Sequence, residues 1–151
     1  MEQLAGAARR HTRVVRPSLS VGVADSPEVI RAAKELRYRI FAEEMGARLP
    51  TAIPGVDHDA FDAHCQHLVV QDDASGEVVG TCRILTPESA SRIGYYSETE
   101  FDLARLEPLR PELVEIGRSC VHPDHRSGAT ITLLWAGLGL QPSCNPTITR
   151  F

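Results

Sequence analysis

Apolar positions recur along this chain with two different periods, and the switches between them lay out the elements. Leu19 to Val23 alternates as a short strand. Asp25-Ser26-Pro27-Glu28 reads as a helix entry, since Ser26 can cap, Pro27 sits where its missing N–H costs nothing, and Glu28 complements the helix dipole. The helix is expected to run to about Met45, with Val29, Ile30, Ala33, Leu36, Ile40, Phe41 and Met45 at the three-and-four spacing of a core-facing stripe and Gly46 as terminator. A turn-rich connection with Pro50, Pro54 and Gly55 follows. Period two returns in Gln66 to Gln71 and Glu77 to Leu85, a hairpin closed by Asp72-Asp73-Ala74-Ser75-Gly76. Ser97 to Leu106 predicts a short helix with Ser97 and Glu100 in capping-box spacing. Leu113 to Val121 is a further strand, and Ile131, Leu133, Leu134 and Trp135 open a second apolar helix.

Charged residues interrupt these patterns at informative places. Arg37 lies on or beside the apolar stripe of the first helix, either as a snorkelling surface side chain or as a group directed into a site. Strict alternation puts Val79, Thr81, Arg83 and Leu85 on one face of their strand and Val78, Gly80, Cys82 and Ile84 on the other. Arg83 is thus a sheet-edge or a cleft-lining arginine. The same alternation sends Glu115 and Arg118 to opposite faces. If helices cover both faces, each must find a partner, because unpaired buried charge is costly. Structural ion pairing and function both satisfy that requirement.

Glu115 to Arg126 delivers a strand to a turn and a helix start. Pro123 stops ladder pairing, and Arg126-Ser127-Gly128-Ala129-Thr130 opens the helix. Free N–H groups and the dipole at such a start favour a phosphate. A thioester donor carried on a phosphopantetheine arm suits it.

Composition narrows the alternatives. A chain of 151 residues, 42% hydrophobic and 24% charged, has room for one core. Its net charge of -4 argues against nucleic acid as the main partner. Cys65, Cys82, Cys120 and Cys144 form no CxxC pair, and no secretory or membrane-spanning stretch is evident, so a reducing cytoplasm is the expected location. Residues 1–18 read as a disordered basic tail in which Arg9, Arg10, Arg13 and Arg16 face one acid, Glu2. Such a tail can touch the inner face of a membrane peripherally, or an acidic partner. The Asp, His and Cys residues from Asp57 to His67 offer zinc ligands, yet no second spaced pair completes a site, and the expectation is no metal.

Four blocks in order carry a resemblance: Leu36-Arg37-Tyr38-Arg39-Ile40-Phe41, Asp59-Ala60-Phe61-Asp62, Val79-Gly80-Thr81-Cys82-Arg83-Ile84-Leu85 and Glu115-Ile116-Gly117-Arg118. Together they resemble the acyl-carrier-protein-using branch of the GNAT acyltransferase superfamily, which includes acyl-homoserine lactone synthases and ornithine N-acyltransferases. Arg118-Ser119-Cys120-Val121-His122-Pro123-Asp124-His125-Arg126 looks more like the ornithine enzymes, and the tryptophan expected in the synthases is absent near Ala47. The resemblance spans about Val21 to Trp135.

It implies an α/β GNAT-like acyl-CoA N-acyltransferase fold, a mixed central sheet with flanking helices, represented by its N-terminal part at residues 19–136. It also implies transfer of a fatty or 3-hydroxy-fatty acyl group from acyl-carrier protein to the α-amino group of ornithine or a similar amine, giving lyso-ornithine lipid. The donor is then the phosphopantetheine thioester of the carrier protein, with no resident cofactor; retention of one glycine, Gly128, in the phosphate loop disfavours acyl-CoA. Arg37, Phe41, Asp59, Asp62, Arg83, Glu115 and Arg118 match the cleft lining of the synthases. Glu115 is the candidate for the proton or amine role and the other six for substrate binding. Arg126, Ser127, Gly128, Ala129 and Thr130 would meet the pantetheine phosphate. Residues 137–151 lose both period and resemblance, and are expected to be an irregular, truncated or out-of-frame ending, leaving as alternatives a noncatalytic carrier-protein-binding remnant or an acyl-homoserine-lactone-synthase-like acyltransferase.

Overall fold

The computed structural model describes residues 18–144. Residues 1–17 of the expected tail, with Arg9, Arg10, Arg13 and Arg16, and the ending after Cys144 lie outside the described residues. Four strands, β1 (Leu19–Val23), β2 (Gln66–Asp72), β3 (Val78–Leu85) and β4 (Glu115–Val121), form a sheet in the order β1-β2-β3-β4. Its three pairings are antiparallel, so the parallel component of a mixed sheet is not among the described strands. Helices α1 (Pro27–Tyr38) and α3 (Ala129–Leu140) cover opposite faces, and α2 (Pro87–Ile93) follows β3. Alternate residues of β2 divide accordingly. Val69 packs with Ala33 and Leu36 of α1 and with Ile40 just after it, whereas Leu68 and Val70 pack with Leu134 and Leu138 of α3.

Helix α1 starts as expected, with Val29 N–H donating to Ser26 Oγ at 3.3 Å. Its last part differs. Arg39–Glu44 widens to a π-helix, in which Met45 N–H donates to Ile40 C=O at 3.0 Å. The extra residue in that turn rotates the stripe, so Ile40 stays buried while Met45 is 67% exposed instead of joining the core.

Two bulges correct the expected strand faces. Between β2 and β3 the register shifts from Val70 opposite Gly80 to Gln71 opposite Val78. Val79 is left over and turns to the α3 side, and Val78 to the α1 side. Between β3 and β4, Thr81 faces Cys120 and Arg83 faces Gly117, so Arg118 and Ser119 stand opposite Cys82 alone. Arg118 takes φ +51°, a left-handed conformation unusual for a branched or long side chain. This bulge ends the simple alternation that would separate Glu115 from Arg118.

The helix expected at Ser97 to Leu106 is two 3₁₀ segments, Tyr96–Thr99 and Ala104–Glu112. The capping pattern lies two residues earlier than expected, with Glu98 Oε2 accepting Tyr95 N–H at 2.7 Å, because Ser97 is committed to Glu115. Pro108 and Pro111 keep the second segment from becoming an α-helix. Helix α2, capped by Thr86 ahead of Pro87 and Glu88, repeats the Ser-Pro-Glu entry of α1.

Helix α3 continues four residues past Ala136, so residues 137–140 are helical and not irregular. Gly137 makes this possible by letting the helix lie close to the sheet; a Cβ there would stand 2.8 Å from Val21 Cγ2. At the other end, a Cβ on Gly80 would stand 2.5 Å from Thr130 Cγ2. Gly80→Ala is therefore expected to push the start of α3 off the sheet and cost about 1–3 kcal/mol, read as a lower urea midpoint at unchanged slope. Among the described residues no helix is long and apolar enough to cross a membrane.

Candidate active site

Three arginines and three aspartates from distant parts of the chain meet beside the α1 face of the sheet. Arg37 is 1% exposed, which rules out the surface reading. Its Nε donates to Asp57 Oδ2 at 2.7 Å, and Nη1 and Nη2 donate to the two oxygens of Asp62 at 2.8 and 3.3 Å. Arg83 Nη1 donates to Asp59 Oδ1 at 2.7 Å and Asp62 Oδ1 at 3.1 Å. The acids are tied to one another by the turn they share, since Asp59 N–H donates to Asp62 Oδ2 and Phe61 N–H to Asp59 Oδ1. Arg118 Nη2 reaches Asp59 Oδ2 at 3.5 Å. Its Nε lies 3.5 Å from Asp57 Oδ2 yet has no hydrogen-bond partner among the described residues.

Burial alone would raise the pKa of Asp62, but hydrogen bonds and charge from Arg37 and Arg83 reverse the effect and hold it well below the usual carboxylate range. Asp59 is lowered in the same way, burial being outweighed mainly by Arg83. Both groups thus bind protons less readily folded than unfolded. Their stabilisation is complete above the unfolded carboxyl pKa of about 3.9 and is lost as pH falls through the folded values. Urea midpoints are expected to hold from about pH 7 to 5 and drop below about pH 4. A midpoint at pH 3 equal to that at pH 7 would contradict this.

Next to the cluster lies a pocket of about 160 Å³, lined by Phe61, Cys65, Arg83, Leu85, Tyr96, Ser97, Glu115, Ile116, Gly117 and Arg118. The Glu115 carboxylate is fixed there. Oε2 accepts Tyr96 N–H at 2.8 Å, and Oε1 accepts Ser97 N–H at 2.9 Å and the Ser97 hydroxyl. The Tyr96 ring lies near both Arg83 and Arg118, with Cζ atoms 5.5 and 5.2 Å from its centroid, and Phe61 meets it edge-on. Burial pushes the Cys65 thiol up to about 11, so it stays protonated at neutral pH and is a poor nucleophile.

The structure therefore brings Arg37, Asp59, Asp62, Arg83 and Arg118 together, and joins Glu115 to them through the pocket. Phe41 stands apart, half-buried against the α1 core. At the strand-to-helix junction Gly128 caps α3 with φ +96°. Arg126 spends both terminal nitrogens on Glu44, at 2.7 and 2.8 Å, and its Nε on Val121 C=O. Thr130 is buried and donates its hydroxyl to His125 C=O. The groups left to meet an anion there are the exposed Ser127 and the first backbone N–H groups of the helix, from Ala129 onward.

The family model described as "Acetyltransferase (GNAT) domain" matches residues 36–136, the stretch that contains both the ion cluster and the junction. The chain belongs to this GNAT family. Relatives of this GNAT chain include the L-ornithine N(alpha)-acyltransferases of Brucella abortus, 47% identical, and Agrobacterium fabrum, 42% identical. Each alignment covers 80% of the chain, and 46% and 44% of those relatives. A third, from Rhodobacter capsulatus, is 40% identical over 80% of the chain and 50% of its own length. The chain thus spans about half the length of the curated relatives it matches. Among solved structures, FeeM, an N-acyl amino acid synthase from uncultured soil microbes, superposes with a TM-score of 0.59 at 16% identity, covering 82% of this chain and 64% of that one. The AHL synthase LasI gives 0.56 at 19% identity, covering 82% and 66%. At these identities the likeness is one of fold.

Three site residues of this GNAT chain escaped sequence reasoning. Asp57 stood among the potential metal ligands; in the structure it pairs with Arg37, and no group of three ligands converges on a metal position among the described residues. The Asp57, Asp59, Asp62 spacing was the available signal. Tyr96 and Ser97 had none, because they reach the pocket from a short 3₁₀ segment through a ring face, backbone N–H groups and a hydroxyl.

Proposed function

We propose that this chain carries the acceptor half of an ornithine N-acyltransferase, moving a fatty or 3-hydroxy-fatty acyl group from acyl-carrier protein to the α-amino group of ornithine to give lyso-ornithine lipid. The observation that carries the reading is the meeting of Glu115, Arg83 and Arg118 in one pocket of a fold shared with relatives named for ornithine acylation. In the reaction the amine nitrogen forms a bond to the thioester carbonyl, the C–S bond breaks, the amine gives up a proton and the pantetheine thiol leaves. Glu115, held by three donors, orients the incoming ammonium and takes one proton from it through water to give the amine that attacks, and the proton lost from nitrogen as the amide forms passes to the departing sulfur. The buried aspartates and arginines act behind it. Their charges cancel pairwise and leave Arg118 as the arginine least occupied by hydrogen bonds.

The donor enters at the start of α3, whose N–H groups face the pantetheine phosphate. A cytoplasmic enzyme that touches the inner membrane surface peripherally suits a lipid product. The test is incubation with labelled ornithine and 3-hydroxyacyl-carrier protein, followed by organic extraction. A labelled amide supports the reading, with acyl-CoA giving less product. Saturable binding of carrier protein without turnover points instead to a noncatalytic binding role.

A further inference from the structure

Arg118 is unusual in three independent respects. It holds a left-handed backbone conformation at a bulge, its buried Nε lacks a hydrogen-bond partner, and its guanidinium rests 5.2 Å from the Tyr96 ring centroid. A left-handed backbone at the wall of a pocket is a feature that a ligand can repay, while the buried Nε lies 3.5 Å from Asp57 Oδ2 behind that wall. Arg37 and Arg83, by contrast, each make hydrogen bonds of 2.7 Å to an aspartate.

Tyr96 supplies what the aspartates do not. Its ring stands near both Arg83 and Arg118 and is braced edge-on by Phe61, while its own N–H holds Glu115. Its hydroxyl has no hydrogen-bond partner among the described residues, so the ring face is the working part. The carboxylate contacts of Arg118 are long, 3.5 Å to Asp57 and to Asp59, so the ring carries a larger share of its support at the pocket wall than it does for Arg37 or Arg83.

We propose that Tyr96 is a positioning residue for acceptor selection: it supports the Arg118 guanidinium so that this group meets the carboxylate of an amino acid acceptor, while Glu115 faces an ammonium. The pocket volume of about 160 Å³ lies below the roughly 300–1,000 Å³ of drug-sized ligand sites and suits a small zwitterion. The proposal rests on the acceptor reading above and adds to it the recognition of the carboxylate.

Calorimetric titration of the 151-residue chain with L-ornithine and with 1,4-diaminobutane, its decarboxylated counterpart, tests this. Ornithine is expected to bind at least about tenfold tighter than the diamine. Tyr96→Ala is expected to remove most of that preference, by roughly tenfold, ornithine affinity falling further than diamine affinity. Tyr96→Phe is expected to keep it. Equal ornithine affinity in wild type and Tyr96→Ala overturns the proposal with the acceptor reading intact, as does a loss of both ligands in parallel, which marks a merely structural role. If the wild-type chain binds the two ligands equally, carboxylate recognition is wrong. If it binds neither, the acceptor reading falls with it.

Discussion

Replacing Arg37 with alanine is expected to cost about 3–5 kcal/mol, because it leaves Asp57 and Asp62 buried and facing one another's charge without their principal partner. Against a total stability of about 5–15 kcal/mol, that loss brings the chain close to unfolding at room temperature. Arg37→Lys does not restore it. An ammonium cannot bond Asp62 through two parallel N–H groups while reaching Asp57 with a third. Urea denaturation followed by circular dichroism measures both variants, and a loss below about 1 kcal/mol for the alanine variant would mean that the cluster is not held together by this residue.

Glu115→Gln is expected to lower amide formation by about 10²–10⁴-fold if the carboxylate takes a proton from the incoming ammonium. The substitution changes few atoms, but it presents an NH₂ group to donors on Tyr96 and Ser97. The 96–97 segment should therefore loosen as well. Comparing Glu115→Gln with Ser97→Ala separates the two effects in the transfer assay. The serine variant removes one donor and keeps the carboxylate, so its rate is expected to stay much closer to wild type.

Local periodicity made the beginnings of the fold legible. Ser26-Pro27-Glu28 and the α1 stripe, the Asp72–Gly76 turn, and the strand before Pro123 all state their structure within a few residues. What remained hidden depends on partners distant in the chain. The burial of Arg37 made sense only with acids 20 and 25 positions later, and strict alternation could not foresee two bulges set by neighbouring strands. The family resemblance named Arg37, Asp59, Asp62, Arg83 and Arg118 in advance, and these residues meet. It did not reveal that Arg37 and Asp62 act from behind the pocket wall, nor that Phe41 stands away from it. Nor could pattern reveal Tyr96, which meets two arginines through the face of its ring.

The single tryptophan, Trp135, projects from α3 with 67% of its surface exposed. Its emission should already be red-shifted in the native state and readily quenched by acrylamide, so unfolding will change its colour little. Ultraviolet fluorescence is thus a poor thermometer for this domain and a sensitive reporter of whatever comes to rest on the outer side of that helix.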